Sequence, residues 1–178
     1  MYKKLIDNDI EGLRGLDIKS FDLNVFEPIE ELAFIDESIS PLIYCAYYGT
    51  AQRLPIGKTE LAKLLMKHPM IDLDLHTPSN RQTPLIVACM GGNYEFVKLL
   101  LDAGAEVNKP NAFNHTPLVT IINRLIEDSA GFENRCICFK VAEVLVNHEA
   151  DPNWVIDKVK GYTLLHTLCA SQLKLKKN

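Results

Sequence analysis

The triplet Gly57 to Thr59 is the first candidate for chemistry in this sequence, because Gly-Lys-Thr at the start of a helix is how a phosphate-binding loop ends. Such a loop also needs a glycine five positions before the glycine of the triplet, so that successive backbone N–H groups surround a phosphate. Gln52 occupies that position, and the nearest upstream glycine is Gly49. Nucleotide binding is therefore the alternative to a simpler structural interpretation.

That simpler interpretation is an inserted turn followed by a helix. Pro55 and Gly57 are residues typical of turns, and a threonine hydroxyl accepts a hydrogen bond from the first N–H groups of a helix. The pattern predicts a helix that starts at Glu60 with Thr59 as its N-cap.

Cysteines and histidines are the remaining candidates for a metal site or a nucleophile. Cys136 and Cys138 are two residues apart, so on a helix they point about 200° away from each other and cannot share a metal ion. No motif pairs any of the five cysteines with one of the five histidines. The sequence predicts no catalytic residue, no metal ligand and no cofactor, and so no enzyme within this segment.

Composition narrows the classes of protein. The chain has 178 residues, 47% of them hydrophobic, and a net charge of −4, with its one basic cluster at 174–178. This charge distribution argues against nucleic acid as a partner. An odd number of scattered cysteines favours a reducing compartment, and the sequence lacks a secretory leader and a run of 18 apolar residues. We expect a soluble, cytoplasmic protein that binds neither membrane nor nucleic acid.

An internal repeat is the most informative feature. Thr-Pro-Leu occurs at 83–85 and again at 116–118, a spacing of 33 residues, and the first copy continues as TPLIVACMGGNYEFVKLLLDAGAEVN to Asn108. This stretch resembles an ankyrin repeat at nearly every patterned position, although Ile86 replaces the motif's histidine and Cys89 one of its alanines. The resemblance implies an all-α ankyrin-repeat solenoid of helix-turn-helix repeats joined by inter-repeat hairpin loops, here called fingers.

The residues of this repeat support the same structure independently. Thr83 can cap a helix while Pro84 takes the first helical position, where a missing N–H costs nothing. Gly91 and Gly92 predict the end of this inner helix. A second, outer helix follows, and Gly104 ends it in a position suited to left-handed backbone.

Degenerate copies of the motif extend over the rest of the chain. SPLIYCAYYG starts at Ser40, TPLVTIINRL at Thr116, and TLLHTLCAS, which keeps the motif's histidine as His166, at Thr163. We interpret the whole chain as one domain with an N-terminal capping repeat and lead-in at 1–39, repeats at 40–74, 83–108 and 116–153, and the start of a further repeat at 163–178.

Two of these repeats exceed the usual period. The first and third carry about ten and fourteen extra residues relative to 33, at 50–57 and within 125–138. The inner helix of the third repeat is predicted to run on towards Asp128, with a connecting loop at 129–135. Both insertions are expected to protrude from one edge of the solenoid, either as a binding surface or as tolerated loop growth.

The resemblance also implies where a partner binds, on the concave face formed by the fingers and the exposed sides of the inner helices. Position by position, it assigns to this face residues of the types enriched at interaction hot spots, together with neighbouring polar ones. They are Tyr47, Tyr48, Asn80, Gln82, Met90, Phe113, His115, Asn123, Arg124, Lys160 and Tyr162. Some of them, Tyr47 and Tyr162 above all, could instead pack against neighbouring repeats.

The predicted function is therefore binding of another protein through the concave face, without a small-molecule substrate. The alternative is that the repeats are the targeting domain of a larger multidomain enzyme, or of a bacterial effector that acts in the cytosol or nucleus of a host cell. This alternative rests on the last repeat, which stops after its inner helix, whereas repeat arrays need polar caps.

Overall fold

Eight helices and one small β-ribbon make up the part of the chain that the structure describes, which is residues 9–14, 22–24, 39–48, 57–127 and 132–175 of a computed structural model. The elements in chain order are α1 (Ile10–Arg14), α2 (Pro41–Tyr48), α3 (Gly57–Leu65), α4 (Pro84–Gly91), α5 (Tyr94–Asp102), α6 (Pro117–Glu127), α7 (Phe132–Asn147), β1 (Val155–Asp157), β2 (Tyr162–Thr163) and α8 (Leu164–Leu175).

The helices form two layers. The inner layer consists of α2, α4, α6 and α8, each of which contacts the next, and the outer layer of α3, α5 and α7 is stacked in the same order. Each of the first three inner helices also packs on the outer helix that follows it, and α1 packs on α3. This stack of helix pairs confirms the predicted all-α solenoid.

Residues with capping ability begin and end the helices of the second repeat as predicted. Thr83 accepts a hydrogen bond at its side chain from the Ile86 N–H at 3.2 Å, and Pro84 follows at the first helical position. Gly92 ends α4 in the left-handed region with φ 68°, where a side chain would be strained. Ser40 and Thr116 repeat the cap in the neighbouring repeats, with bonds of 3.4 Å.

The core is continuous from repeat to repeat, because the same motif positions face inward in each. It contains small residues of the inner helices and large apolar side chains of the outer helices. Ala46, Ala88 and Cys89 represent the first kind, and Leu61 and Phe96 the second.

Two predicted helix boundaries were wrong. The outer helix of the first repeat begins at Gly57 rather than Glu60, so Thr59 lies within its first turn and is not an N-cap. The outer helix of the third repeat begins at Phe132, so 132–135 is helical rather than loop, because nothing after Gly131 breaks a helix. The inner helix of the third repeat is extended, as predicted. It continues to Glu127, where the described range ends, so α6 has 11 residues against 8 in α4. Residues 50–56 and 128–131 lie outside the described residues.

A ladder of Asn and Asp side chains links the repeats at the end of each outer segment. Asn24 donates to the Met70 carbonyl and accepts from the Asp72 N–H, both at 2.8 Å. Asn108 makes the equivalent pair of bonds two repeat boundaries further on, to the Glu149 carbonyl at 3.1 Å and from the Asp151 N–H at 2.8 Å. This ladder aligns successive repeats, and the repeat motif alone does not predict it.

Asp74 takes the intermediate place in the ladder. Both of its carboxylate oxygens accept from the Glu106 N–H at 3.1 Å. Burial raises the pKa of Asp74 above its ordinary value, against the lowering effect of that hydrogen bond. The cause is desolvation, which disfavours the charged form of a carboxyl group.

Candidate functional site

The fingers are bonded to one another, which makes them a continuous edge. The second finger connects α3 to α4, the third connects α5 to α6, and the last connects α7 to α8. The Ala112 N–H donates to the Asn80 carbonyl at 2.9 Å and so joins the second finger to the third. The Asn114 amide donates to the Val155 carbonyl at 2.7 Å, while the Trp154 indole N–H donates to the Asn114 carbonyl at 3.0 Å. These backbone-directed bonds hold the fingers in a fixed register along the inner helices.

The third finger is also tightly bonded within itself. The Asn111 side-chain oxygen accepts from the N–H groups of Phe113 at 2.9 Å and His115 at 3.0 Å. Asn114 has φ 61°, a left-handed conformation that asparagine tolerates. The outcome is a preformed turn that leaves the Phe113 ring 62% exposed.

An open groove of about 490 Å³ lies between this finger and the inner helices α4 and α6. Eight residues line it: Gln82, Met90, Asn111, Phe113, His115, Thr120, Asn123 and Arg124. Six of them are sequence-predicted concave residues, which the fold brings together in one place. The two that the sequence analysis missed are Asn111 and Thr120.

Helix periodicity could have found Thr120. It lies one turn after Thr116 and one turn before Arg124, so it shares their face of α6, and its hydroxyl donates to the Thr116 carbonyl at 3.0 Å. No comparable pattern marks Asn111, because its place depends on the turn that its own side chain stabilises.

The remaining predicted residues lie elsewhere. Asn80 is exposed on the second finger and contributes its carbonyl to the bond with Ala112. Lys160 and Tyr162 form a separate group on the last finger, with the Lys160 Nζ 5.8 Å from the centre of the Tyr162 ring. The Tyr162 ring stacks on His166 with centroids 5.5 Å apart and remains exposed.

Tyr47 and Tyr48 have their backbone in α2. Their side chains lie outside the described part of the structure. Whether these two rings line the concave face therefore stays a prediction.

Arg124 dominates the electrostatics of the groove. Its Nη1 donates to the Met90 carbonyl at 2.5 Å, and a Cβ added to Gly92 would lie 3.5 Å from its Nε, so the guanidinium crosses the C-terminal end of α4. Cations are favourable there because the last carbonyls of a helix are negative. The Nε is buried and has no hydrogen-bond partner. Among the described side chains, no carboxylate lies within 4.0 Å of this guanidinium.

Cys89 is fully buried and is not activated as a nucleophile. Burial raises the pKa of the Cys89 thiol far above its ordinary value, with a further contribution from Cys138. A thiol in that state is a poor nucleophile. Within the part of the chain that the structure describes, no three His, Cys, Asp or Glu side chains are grouped closely enough to hold a metal ion.

His166 keeps the position of the motif's histidine and bonds locally. Its Nδ1 accepts from the Thr163 N–H at 3.1 Å and lies 2.9 Å from the Thr163 hydroxyl. These bonds stabilise the start of α8.

A helix that spans a membrane must be both long and apolar. None of the helices in the described residues is both long enough and apolar enough to cross a membrane.

Stacked helix pairs with bonded fingers and a groove beside the inner helices define a helical-repeat protein. A family model described as ankyrin repeats (3 copies) matches residues 22–111, about half of the chain. The chain belongs to the ankyrin repeat family. The later helices α6, α7 and α8 continue the stack beyond the matched range, across the long third repeat and the Leu164 that replaces proline.

Curated relatives match a shorter segment. Over 54 residues, the chain is 41% identical to Ankyrin repeat domain-containing protein 17 of Homo sapiens, and equally to that of Mus musculus. The match covers 30% of this chain and 2% of each relative, so the chain spans only a small part of these much longer proteins.

Proposed function

We propose that this chain binds a partner protein in the groove between the third finger and the helices α4 and α6. Ankyrin repeats are in general protein-interaction modules, and the observation that carries the proposal is the pair Met90 and Phe113. These apolar side chains are 47% and 62% exposed, and both line the groove together with Arg124.

The composition of the groove matches that of interaction hot spots. Aromatic, methionine and arginine side chains are enriched at the centres of protein interfaces, where they contribute most of the binding energy. The bonded fingers favour binding further, because a surface that is already ordered loses little conformational entropy when a partner arrives.

The other concave residues extend this surface in the proposal. Asn80 lies on the neighbouring finger, and Lys160 and Tyr162 on the last one. Tyr47 and Tyr48 would extend it along α2 in the other direction. Truncation of these peripheral residues is expected to weaken binding less than truncation of Met90 or Phe113, because contacts at the rim contribute less than central ones.

The test is affinity capture from an extract of the source cells, with captured proteins identified by mass spectrometry. Wild-type protein is compared with the double variant Met90→Ala and Phe113→Ala. The control variant is Phe139→Ala and Val146→Ala, which removes two similarly exposed side chains, 57% and 50%, from the outer helix α7. We expect a partner that is captured by the wild type and the control but lost with the groove variant. Capture that survives the groove substitutions contradicts the proposal.

A second candidate function is that these repeats serve as the targeting part of a larger enzyme or of a bacterial effector. Leu165 favours it. This residue lies at the motif position of Leu85 and Leu118, which are buried, yet it is 66% exposed on α8. An uncovered apolar side chain at an inter-repeat position suits a further packed element.

The size of the natural protein tests this candidate. An antibody raised against the chain, followed by mass spectrometry of the captured protein, would give a mass well above 20.1 kDa if the candidate is right. A natural mass of 20.1 kDa contradicts it.

A further inference from the structure

We infer that the groove selects a peptide segment of the partner in which a carboxylate lies beside a large apolar side chain. The carboxylate binds Arg124, and the apolar side chain lies between Met90 and Phe113. This inference rests on the proposed function, which by itself would be satisfied by a partner of any charge.

The distribution of charge is the first argument. The chain has 23 acidic and 19 basic residues, but the lining of the groove contains no acidic side chain and one permanent cation, Arg124. A groove that carries positive charge within a protein of net negative charge attracts an anionic segment more strongly than the rest of the surface does.

The bonding of Arg124 is the second argument. One nitrogen, Nη1, is held by the Met90 carbonyl, which orients the planar group, and the Nε is covered by the protein, so a ligand meets the Nη end of the guanidinium. A guanidinium offers several donors in a rigid fork that matches the two oxygens of a carboxylate. An oriented guanidinium without a paired carboxylate is therefore prepared for one that a partner supplies.

Two amides extend this hydrogen-bonding capacity. The side chains of Gln82 and Asn123 line the groove, and neither amide has a hydrogen-bond partner in the described part of the chain. Amide side chains both donate and accept, so they suit the N–H and C=O groups of a peptide backbone. A partner peptide whose backbone bonds to these two amides could place one of its own carboxylate side chains against Arg124.

The position of Met90 explains why the carboxylate and the apolar side chain must be neighbours. Its carbonyl accepts from Arg124, and its own side chain lines the groove and is exposed. A ligand that fills the groove therefore meets both Met90 and Arg124. Methionine adapts its shape to different apolar partners, and the Phe113 ring adds a second exposed apolar surface to the same groove.

The experiment is selection from a random linear peptide library displayed on phage against the whole chain. Peptides that lose binding to the Met90→Ala and Phe113→Ala double variant are retained as groove ligands. We expect them to share an Asp or Glu close to an aromatic or large aliphatic residue. For one such peptide, replacing the Glu by Gln should weaken binding to wild-type protein roughly tenfold to a hundredfold, the range of a hydrogen-bonded charge pair.

Arg124→Gln completes a double-mutant cycle, in which the Glu and Gln peptides should bind the variant about equally. Arg124→Lys keeps the charge but loses the fork, so it should recover only part of the difference. The comparison of the two peptides on wild-type protein remains decisive even if the Arg124 variants fold poorly.

Different results separate the two proposals. Groove ligands without a shared acidic residue, or equal binding of the Glu and Gln peptides, overturn the carboxylate inference and leave the proposed function intact. A phosphoserine peptide that binds roughly tenfold more tightly than its Glu counterpart also overturns it, in favour of a phosphate site. Selected peptides that all bind the Met90→Ala and Phe113→Ala variant as well as the wild type contradict the proposed function itself.

Discussion

Leu85 and Leu165 occupy the same position of the repeat motif, two residues after the threonine, but they have opposite environments. Leu85 is fully buried, whereas Leu165 is 66% exposed, and Leu118 between them is 3% exposed. The difference arises because α4 lies between α2 and α6, while α8 is packed on α6 and has no described inner helix on its other side. A motif position thus determines the direction of a side chain, and the neighbouring repeat determines whether that side chain is buried.

The outer layer shows the same contrast. Leu101 and Val146 each lie seven residues before the asparagine that ends their segment. The first is 6% exposed and the second 50%. The sequences around Leu101 and Val146 are similar, but the two side chains differ in burial. Comparing substitutions at such pairs of positions therefore tests how much of the stability of this protein comes from the packing of one repeat on the next.

The largest difference is expected between Leu85→Ala and Leu165→Ala. The first change should lower the free energy of unfolding by about 2–5 kcal/mol, because it leaves a cavity in a packed core, and the second by less than about 0.5 kcal/mol. Urea unfolding followed by far-UV circular dichroism measures both values. Similar losses at the two sites would show that Leu165 is covered in solution.

The next difference concerns the helix caps at Thr83 and Thr163. Thr83 is fully buried and bonds the Ile86 N–H, whereas Thr163 is half-buried with its hydroxyl beside His166. Replacing Thr83 by Ala should cost about 1–2 kcal/mol, and replacing Thr163 by Ala a few tenths. Thr83→Ser, which keeps the hydroxyl, is the control in the same unfolding measurement. A loss with Thr83→Ser as large as with Thr83→Ala would mean that the methyl group matters rather than the cap.

A smaller effect is expected where the outer helices end. Gly104 and Glu149 occupy equivalent positions with φ 95° and 66°, and only glycine adopts such backbone without strain. Glu149→Gly should therefore raise the free energy of unfolding by about 0.5–1 kcal/mol, while Gly104→Ala lowers it by about 1 kcal/mol. Thermal unfolding would measure the changes in stability of both variants. Destabilisation by Glu149→Gly would show that the backbone of Glu149 is not strained.

The smallest effect is expected in the ladder. An ionised Asp74 can only accept, whereas Asn24 and Asn108 both donate and accept, so Asp74→Asn should stabilise the protein at neutral pH by less than about 1 kcal/mol. Because the pKa of Asp74 is raised in the folded state, its ionisation disfavours folding, and stability falls as the pH rises from its ordinary pKa of 3.8 through the raised value.

The Asp74→Asn variant has no carboxyl group to ionise at this position, so its stability does not fall in this way as the pH rises. The difference in stability between Asp74→Asn and wild type should therefore grow from about pH 4 to about pH 7. Asn108→Asp is the matched control, since it creates a second carboxylate in the ladder and should shift stability in the opposite direction. Urea unfolding at both pH values provides the measurement. A difference that does not change with pH would contradict the raised pKa.

Much of the site could be predicted because repeat proteins place equivalent residues at equivalent points. Gln82, Met90, Phe113 and Arg124 were assigned from motif position alone, and the structure brings all four to one groove. Position in a motif does not specify bonds, however. The bond from Arg124 to the Met90 carbonyl, 34 residues earlier, is one that no motif position predicts.

The helix boundaries that were wrong have a related cause. Turn-forming and capping residues at 55–59 predicted a turn before Glu60, and 129–135 was predicted to be a connecting loop, but the outer helices extend back to Gly57 and Phe132. Packing against the adjacent outer helix adds stability that the propensities of a few terminal residues do not contain.

The sequence by itself determined the repeat period, the order of inner and outer helices, and the capping residues Thr83 and Gly92, because these depend on local backbone preferences and on a pattern that recurs along the chain. Only the tertiary structure decided which apolar residues are buried, how the Asn ladder is bonded, and that Arg124 donates to the Met90 carbonyl in a groove whose lining contains no carboxylate. These properties arise from neighbours that are distant in sequence, and burial and charge pairing depend on those neighbours rather than on local pattern.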